Sequence, residues 1–236
     1  MKISSIIKKV MMALSGLALV GFLVTHLAGN LLIYKLDPKT NTGDDFNKYG
    51  EYLEHNPLLP LAEIALLALF IMHVSTALRL TLENRAARPI AYAERKTAGE
   101  STFSSRTMWY TGMIIFGFIA LHIWQFKFGN KEGVGKLWGL VVSEFQKPVI
   151  LAVYVAAMLA LGLHIAHGIS SAFQSLGLFS LKRSKLKLAG QLIGWAIALG
   201  FAAIPVWSFT QHPGTLKPGK SEVAGQIVHE HIAESK

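Results

Sequence analysis

No cysteine occurs anywhere in the chain. That absence excludes disulfides, thiolate-held iron–sulfur clusters and haem attached covalently through a C-x-x-C-H motif. A metal or cofactor bound here would be held by nitrogen or oxygen, and any iron–sulfur chemistry belongs to a partner. Charge is scarce as well. Asp, Glu, Lys and Arg make up 16% of the 236 residues, against about 25% in an average soluble domain. Acids are scarcest of all where the chain is most apolar. Glu63 is the one acid that falls inside a long apolar block.

What fills the space is hydrophobic residue, 52% of the chain, gathered in long runs between short charged loops. Crossing the hydrocarbon core takes roughly 20 consecutive apolar residues at about 1.5 Å each. Five blocks reach that length, at 11–34, 58–82, 108–128, 148–173 and 189–209. The expected fold is therefore all-α, an integral membrane bundle of five transmembrane helices over residues 1–210. A polar external tail, 211–236, follows. Lysines 2, 8 and 9 precede the first block as they would in a secretory signal. The block exceeds a signal's apolar core, lacks an A-x-A-like site and carries His26, so it reads as retained.

The net charge of +9 does not point to nucleic acid. Threading alternate loops to opposite sides collects thirteen of the 23 Lys and Arg on the N-terminal face, with only three of the 14 acids. The positive-inside rule then places the N-terminus in the cytoplasm and the C-terminus outside. Topology and anionic lipid account for the excess, which could also guide a cytoplasmic partner. The expected location is a bacterial cell (inner) membrane.

Between the spans, residues 37–56 read as a polar outward loop and 129–139 as a Gly-rich outer loop. Trp124 and Trp138 stand where aromatic belts sit. Pro57 and Pro60 mark the start of span two and Pro148 that of span four. Residues 182–187 read as a basic stop before span five. No internal repeat is strong enough to claim.

Histidine is what the spans should not contain, because an ionisable group in hydrocarbon costs several kcal/mol unless partnered. Yet His26, His73, His122 and His164 fall on four successive spans, with His167 close behind. An interhelical hydrogen bond would explain any one of them; one on each of four spans is harder to explain so. Counted from the cytoplasmic ends at about 1.5 Å per residue, His26 and His122 lie about 21 and 22 Å deep, and His73 and His164 about 14 and 12 Å. That sorts them into an outer pair on spans one and three and an inner pair on spans two and four. Two imidazoles facing each other at one level can clamp an iron porphyrin, and two levels make an electron path across the bilayer. With both axial positions filled, such haems carry electrons and bind no oxygen or substrate. Zinc would instead want tetrahedral ligands converging on one point.

Other residues keep two readings. Gly16, Gly21, Gly29, Gly112, Gly117, Gly162 and Gly168 would let flat macrocycles approach the backbone, or simply pack helices closely. Arg79, Arg106 and His167 are candidates for haem propionates; the arginines serve equally as topology-setting cations. Glu51, Glu54 and His55 could serve a quinone near the outer haem, or lie in a solvated loop. Glu63 is a helix-start carboxylate near water or a proton-handling group.

The segments T-H-L-A-G-N at His26, I-M-H-V at His73, A-L-H-I-W at His122 and L-G-L-H-I-A-H-G at His164 resemble the di-haem cytochrome b subunit of succinate dehydrogenase and fumarate reductase, over essentially the whole chain. In that family the span-four ligand lies four residues before a glycine, which maps onto His164 and Gly168 and favours His164 over His167. The resemblance implies two haem b groups, bound through His26 with His122 and His73 with His164. It implies partner subunits on the cytoplasmic face, an iron–sulfur subunit and a flavoprotein with covalent FAD. The reaction would exchange electrons between succinate or fumarate and a membrane quinone, menaquinone or ubiquinone, with the dicarboxylate site on a partner. Gly162 stands where some fumarate reductases carry a glutamate linked to proton movement, so that route is not assumed. The competing readings are the cytochrome b of a membrane hydrogenase or formate dehydrogenase, and a transporter or structural membrane protein using histidines as proton relays.

Overall fold

The computed structural model describes residues 4–38, 42–86, 103–131, 136–178 and 183–211, without the side chains of 103–106 and 183–184. All regular structure among them is helical. In chain order the helices are α1 (Ser5–Asn30), α2 (Asp44–Glu54), α3 (Leu59–Ala86), α4 (Phe103–His122), α5 (Lys136–Phe145), α6 (Pro148–Ser175) and α7 (Arg183–Thr210). A 3₁₀ turn, Leu31–Tyr34, extends α1, and a π-helical turn, Ile123–Lys127, extends α4. Five segments are long and apolar enough to cross a membrane: Ser5–Tyr34, Leu59–Ala86, Thr107–Lys127, Pro148–Ser175 and Lys185–Thr210. The chain has the build of a multi-pass membrane protein. From residue 212 onward the expected tail lies outside the described residues.

Local chemistry sets the helix ends. Ser4 caps α1 by accepting from the Ile7 N–H at 3.3 Å, relieving one unpaired amide of the first turn. Pro148 opens α6, where its missing N–H costs nothing. At the other end of α6, Gly177 adopts φ +72°. Its N–H bonds Gln174 O and that of Leu178 bonds Phe173 O, the paired bonds of a Schellman ending.

Helix α6 is the centre of the bundle. It packs closely on α7, α4 and α1, and α1 in turn on α3. The α6–α7 seam is made by small residues: a Cβ added at Gly194 would stand 2.7 Å from the Ala166 backbone nitrogen. Without hydrophobic drive between helices in lipid, this backbone approach supplies the dispersion contact that holds the pair. Met158, Leu161, Ile165, Ile169 and Ile197 form the buried layer there. Helices α3 and α4 hang at the periphery, each with 6% of its span window buried against 44% for α6. They meet through rings, Phe70 stacking on Phe116 at 5.9 Å and Arg85 standing over Trp109 at 5.5 Å. Lys8 pairs with Glu83 at the same end as Arg85, and Glu63 pairs with Lys127 at the other.

Two expectations fail at that other end. The 37–56 segment contains α2, and the 129–139 segment gives way to α5 at Lys136. Both are short, α2 mostly polar and α5 mostly apolar, and each turns an apolar face to the same small core of Ile33, Phe46, Trp138, Val142, Phe145 and Tyr154. Trp138 is 2% exposed, a buried anchor and not a belt residue. Its backbone N–H donates to Asn47 Oδ1 at 2.8 Å and its indole N–H to Ile33 O at 3.3 Å. Trp124 stays exposed. The supposed basic stop at 182–187 is largely the first turn of α7, since Arg183 already begins that helix. Helices α2 and α5 thus form a cap over one end of the bundle.

Candidate haem-ligating site

The bundle brings the span histidines together in twos. His26 of α1 and His122 of α4 face each other with ring centroids 5.9 Å apart and planes at 86°. His73 of α3 and His164 of α6 do the same at 6.3 Å and 68°. The first pair lies beneath the cap and the second toward the N-terminal end of α1. The helices that carry each pair, α1 with α4 and α3 with α6, are not among the closely packed pairs of the described residues. They approach through these rings.

The spacing suits a metal between the rings. A metal–imidazole bond of about 2 Å plus about 1.1 Å from nitrogen to ring centre, taken twice, gives about 6.2 Å between centroids. Neither pair is joined by a direct hydrogen bond in the described structure, and the described residues gather no cluster of three or more His, Cys, Asp or Glu as a bare metal ion would need.

Each imidazole has a side-chain partner at Nδ1. Ser15 Oγ on α1 lies 3.2 Å from His73 Nδ1, and Thr111 Oγ1 on α4 lies 3.2 Å from His164 Nδ1. Both hydroxyls give their single proton to their own helix, Ser15 to Met11 O at 2.8 Å and Thr111 to Thr107 O at 3.1 Å. Towards histidine each can therefore only accept, so Nδ1 carries the proton. The third case follows the same logic. Tyr154 donates its O–H to Gln125 Oε1 at 2.7 Å and stands 3.4 Å from His122 Nδ1. His26 differs: the Asn30 amide donates to His26 O at 2.8 Å and lies 3.4 Å from Nδ1, which does not decide the tautomer. On those three rings Nδ1 holds the proton, so Nε2 keeps its lone pair. This is how a ligating histidine is held, oriented by an outer bond and basic at the inner nitrogen.

Aromatic rings complete the cap-side walls. Phe22 stacks on His26 at 5.2 Å, Phe201 of α7 lies 5.6 Å from it, and Phe118 and Phe126 flank His122 at 5.7 and 5.4 Å. Two of the noted glycines sit directly under the other pair: a Cβ at Gly16 would come within 3.2 Å of His73, and one at Gly112 within 3.6 Å of His164. Gly29 and Gly162 instead admit Tyr49 and Trp195, while Gly21, Gly117 and Gly168 have nothing within 4 Å of an added Cβ.

His164 is the member of the H-I-A-H segment that meets His73; His167 is half-buried on the same helix, within electrostatic reach of Lys187. Arg79 is exposed near the end of α3, and the side chain of Arg106 lies outside the described residues. Glu51 and Glu54 line a pocket on the cap together with Asn47, Lys131 and Lys136. Each carboxylate is committed to an ion pair, Glu51 with Lys136 and Glu54 with Lys131. The hydrogen bond and charge of Lys136 hold the Glu51 carboxyl below its ordinary pKa, which favours its ionised form. His55 closes α2, its Nδ1 2.8 Å from Glu51 O.

Sequence reasoning missed Ser15, Thr111, Tyr154 and Gln125. A signal for the first two was present: spans one and three share a hydroxyl residue, then G-x4-G-x4-H, as Ser15-Gly16-Gly21-His26 and Thr111-Gly112-Gly117-His122. Each such span supplies one ligand of the cap-side pair and a hydroxyl to one ligand of the other pair. Comparison with family models, curated proteins and solved structures gives no match.

Proposed function

We propose that this chain is a di-haem cytochrome b anchor subunit of a succinate dehydrogenase or fumarate reductase complex, moving electrons between an iron–sulfur subunit and membrane quinone. The observation that carries the haem part is the pair of facing imidazole pairs, each at porphyrin-clamping separation, each ligand on a different helix. Haem held by His26 with His122 and by His73 with His164 would supply one-electron transfer.

The chain's own residues do the holding. Ser15, Thr111 and Tyr154 orient three rings and keep Nε2 unprotonated, and the buried cluster around Tyr154 and Phe145 packs beside the cap-side pair. The complex-level reading rests on the resemblance of the four histidine segments to the succinate dehydrogenase and fumarate reductase subunits. Four ligands on four helices suit that reading better than a hydrogenase-type cytochrome, where two ligands often share one helix. In this reading the N-terminal end of α1 faces the cytoplasm, the iron–sulfur and FAD-bearing subunits dock there, and the α2–α5 cap faces outward in a bacterial cell membrane.

The test is purification of the chain with its copurifying subunits from native membranes. A reduced-minus-oxidised spectrum showing two b-type haems per chain, with an iron–sulfur protein and a flavoprotein identified by mass, is the expected result. A colourless preparation overturns the haem reading and favours a histidine-relay transporter. Two haems with hydrogenase or formate dehydrogenase subunits overturn the succinate–fumarate assignment alone.

A further inference from the structure

We propose that Tyr154, Gln125 and Glu144 form a one-way hydrogen-bond chain that makes His122 the most electron-donating of the four imidazoles and lowers the reduction potential of the cap-side haem alone. The inference rests on the haem reading above.

Donor and acceptor chemistry fixes the direction of the chain. Glu144, as a carboxylate, can only accept, so Gln125 turns its amide N–H₂ toward Glu144 Oε2 at 3.1 Å. Its amide oxygen is then left for the Tyr154 hydroxyl, which donates at 2.7 Å. The tyrosine oxygen, having given its proton away, accepts from His122 Nδ1–H at 3.4 Å. Every donor in the series points from the imidazole toward a negative charge. Such alignment polarises each bond by the next and pushes electron density back onto the ring. An amide passes no proton without becoming an imidate, so the chain transmits charge and not protons.

The other ligands end differently. The Ser15 and Thr111 hydroxyls terminate on neutral carbonyls of their own helices, and Asn30 donates to the backbone of His26. Among the described residues, these hydrogen bonds lead from His122 alone to a carboxylate. The inner end of the chain is buried: Tyr154 is 5% exposed and is ringed by Phe118, Phe126 and Phe145 at 4.8 to 6.0 Å, while the Glu144 side chain is 19% exposed. Low local dielectric makes the effect larger than it would be in water. Lys147 bonds the other Glu144 oxygen at 2.6 Å, but its own side chain is 59% exposed and therefore solvent-screened. The π-helical turn directly after His122 carries Gln125, and a side chain at Gly129 would run into the Gln125 carbonyl. Such turns cluster at functional sites.

Glu144→Gln keeps the shape of the chain and removes its charge; Tyr154→Phe breaks its first link. The readout is a redox titration of the intact complex, following the two haem bands separately. Each variant is expected to raise the one-electron equilibrium constant of the cap-side haem about threefold to tenfold. At about 59 mV per tenfold that is about 30 to 60 mV, with the other haem unmoved. Unchanged potentials with both haems bound overturn this inference and leave the haem reading intact. Equal movement of both potentials also overturns it, as a general structural effect. A wild-type preparation without haem overturns both. Should Tyr154→Phe shed the haem, Glu144→Gln still decides.

Discussion

The Ser15 hydroxyl on α1 stands 3.2 Å from His73 Nδ1 on α3 and accepts from it, because its own proton goes to Met11 O. Thr111 repeats the arrangement toward His164 at the same distance. Thr111→Val strands the His164 N–H, at a cost of about 1–3 kcal/mol, while after Ser15→Ala the Met12 carbonyl remains as an acceptor for His73 and the loss is smaller. Loss of such an outer-shell partner is expected to weaken haem retention about 10- to 100-fold, for the pair away from the cap only. Haem transfer to a competing apoprotein, followed optically, measures it. Equal loss from both sites would refute the assignment.

Substituting the ligands themselves separates the two levels. His26→Ala or His122→Ala is expected to leave one haem, bound by His73 and His164; His73→Ala or His164→Ala should leave the other. His167→Ala should keep both, since His164 is the ring facing His73. Haem-to-protein stoichiometry of each purified variant is the measurement. Loss of haem from His167→Ala with retention in His164→Ala would reverse the choice of ligand.

Trp138 fastens the cap. It is almost fully buried and bonds both Asn47 and Ile33. Trp138→Ala should cost the cap about 3–5 kcal/mol. Faster amide exchange in 42–56 and 136–146, with the α6–α7 seam unaffected, is the expected pattern.

Acid should loosen the cap further. Hydrogen bonding and charge from Lys136 depress the pKa of Glu51, and Lys35 does the same to Asp45. A depressed carboxyl contributes stability that is present above its unfolded pKa and is lost as pH falls through its folded one. Exposed pairs contribute little each. Glu51→Gln should therefore reduce cap protection slightly near neutral pH and have no effect once pH is below the folded pKa. A penalty that grows toward low pH would contradict this.

How much of this was legible depended on the kind of information involved. The five spans followed from hydropathy because hydrocarbon thickness sets their length. Helices α2 and α5 did not, because Phe46 and Trp138 form an apolar face only once Ile33 and Tyr154 stand opposite. The repeated hydroxyl-G-x4-G-x4-H pattern lay in plain sight at Ser15 and Thr111, but its meaning required knowing that neighbouring helices turn His73 and His164 toward it.

The sequence by itself determined five apolar helices of membrane-spanning length and the position of each histidine along its helix, since rise per residue is fixed. Tertiary structure alone decided which ring meets which, which hydroxyl or phenol holds Nδ1, and that Glu144 lies at the end of the Tyr154 chain. Those relations depend on the rotation of each helix about its axis and on its lateral neighbours. Small-residue packing such as Gly194 on Ala166 sets them, and hydropathy carries no record of it.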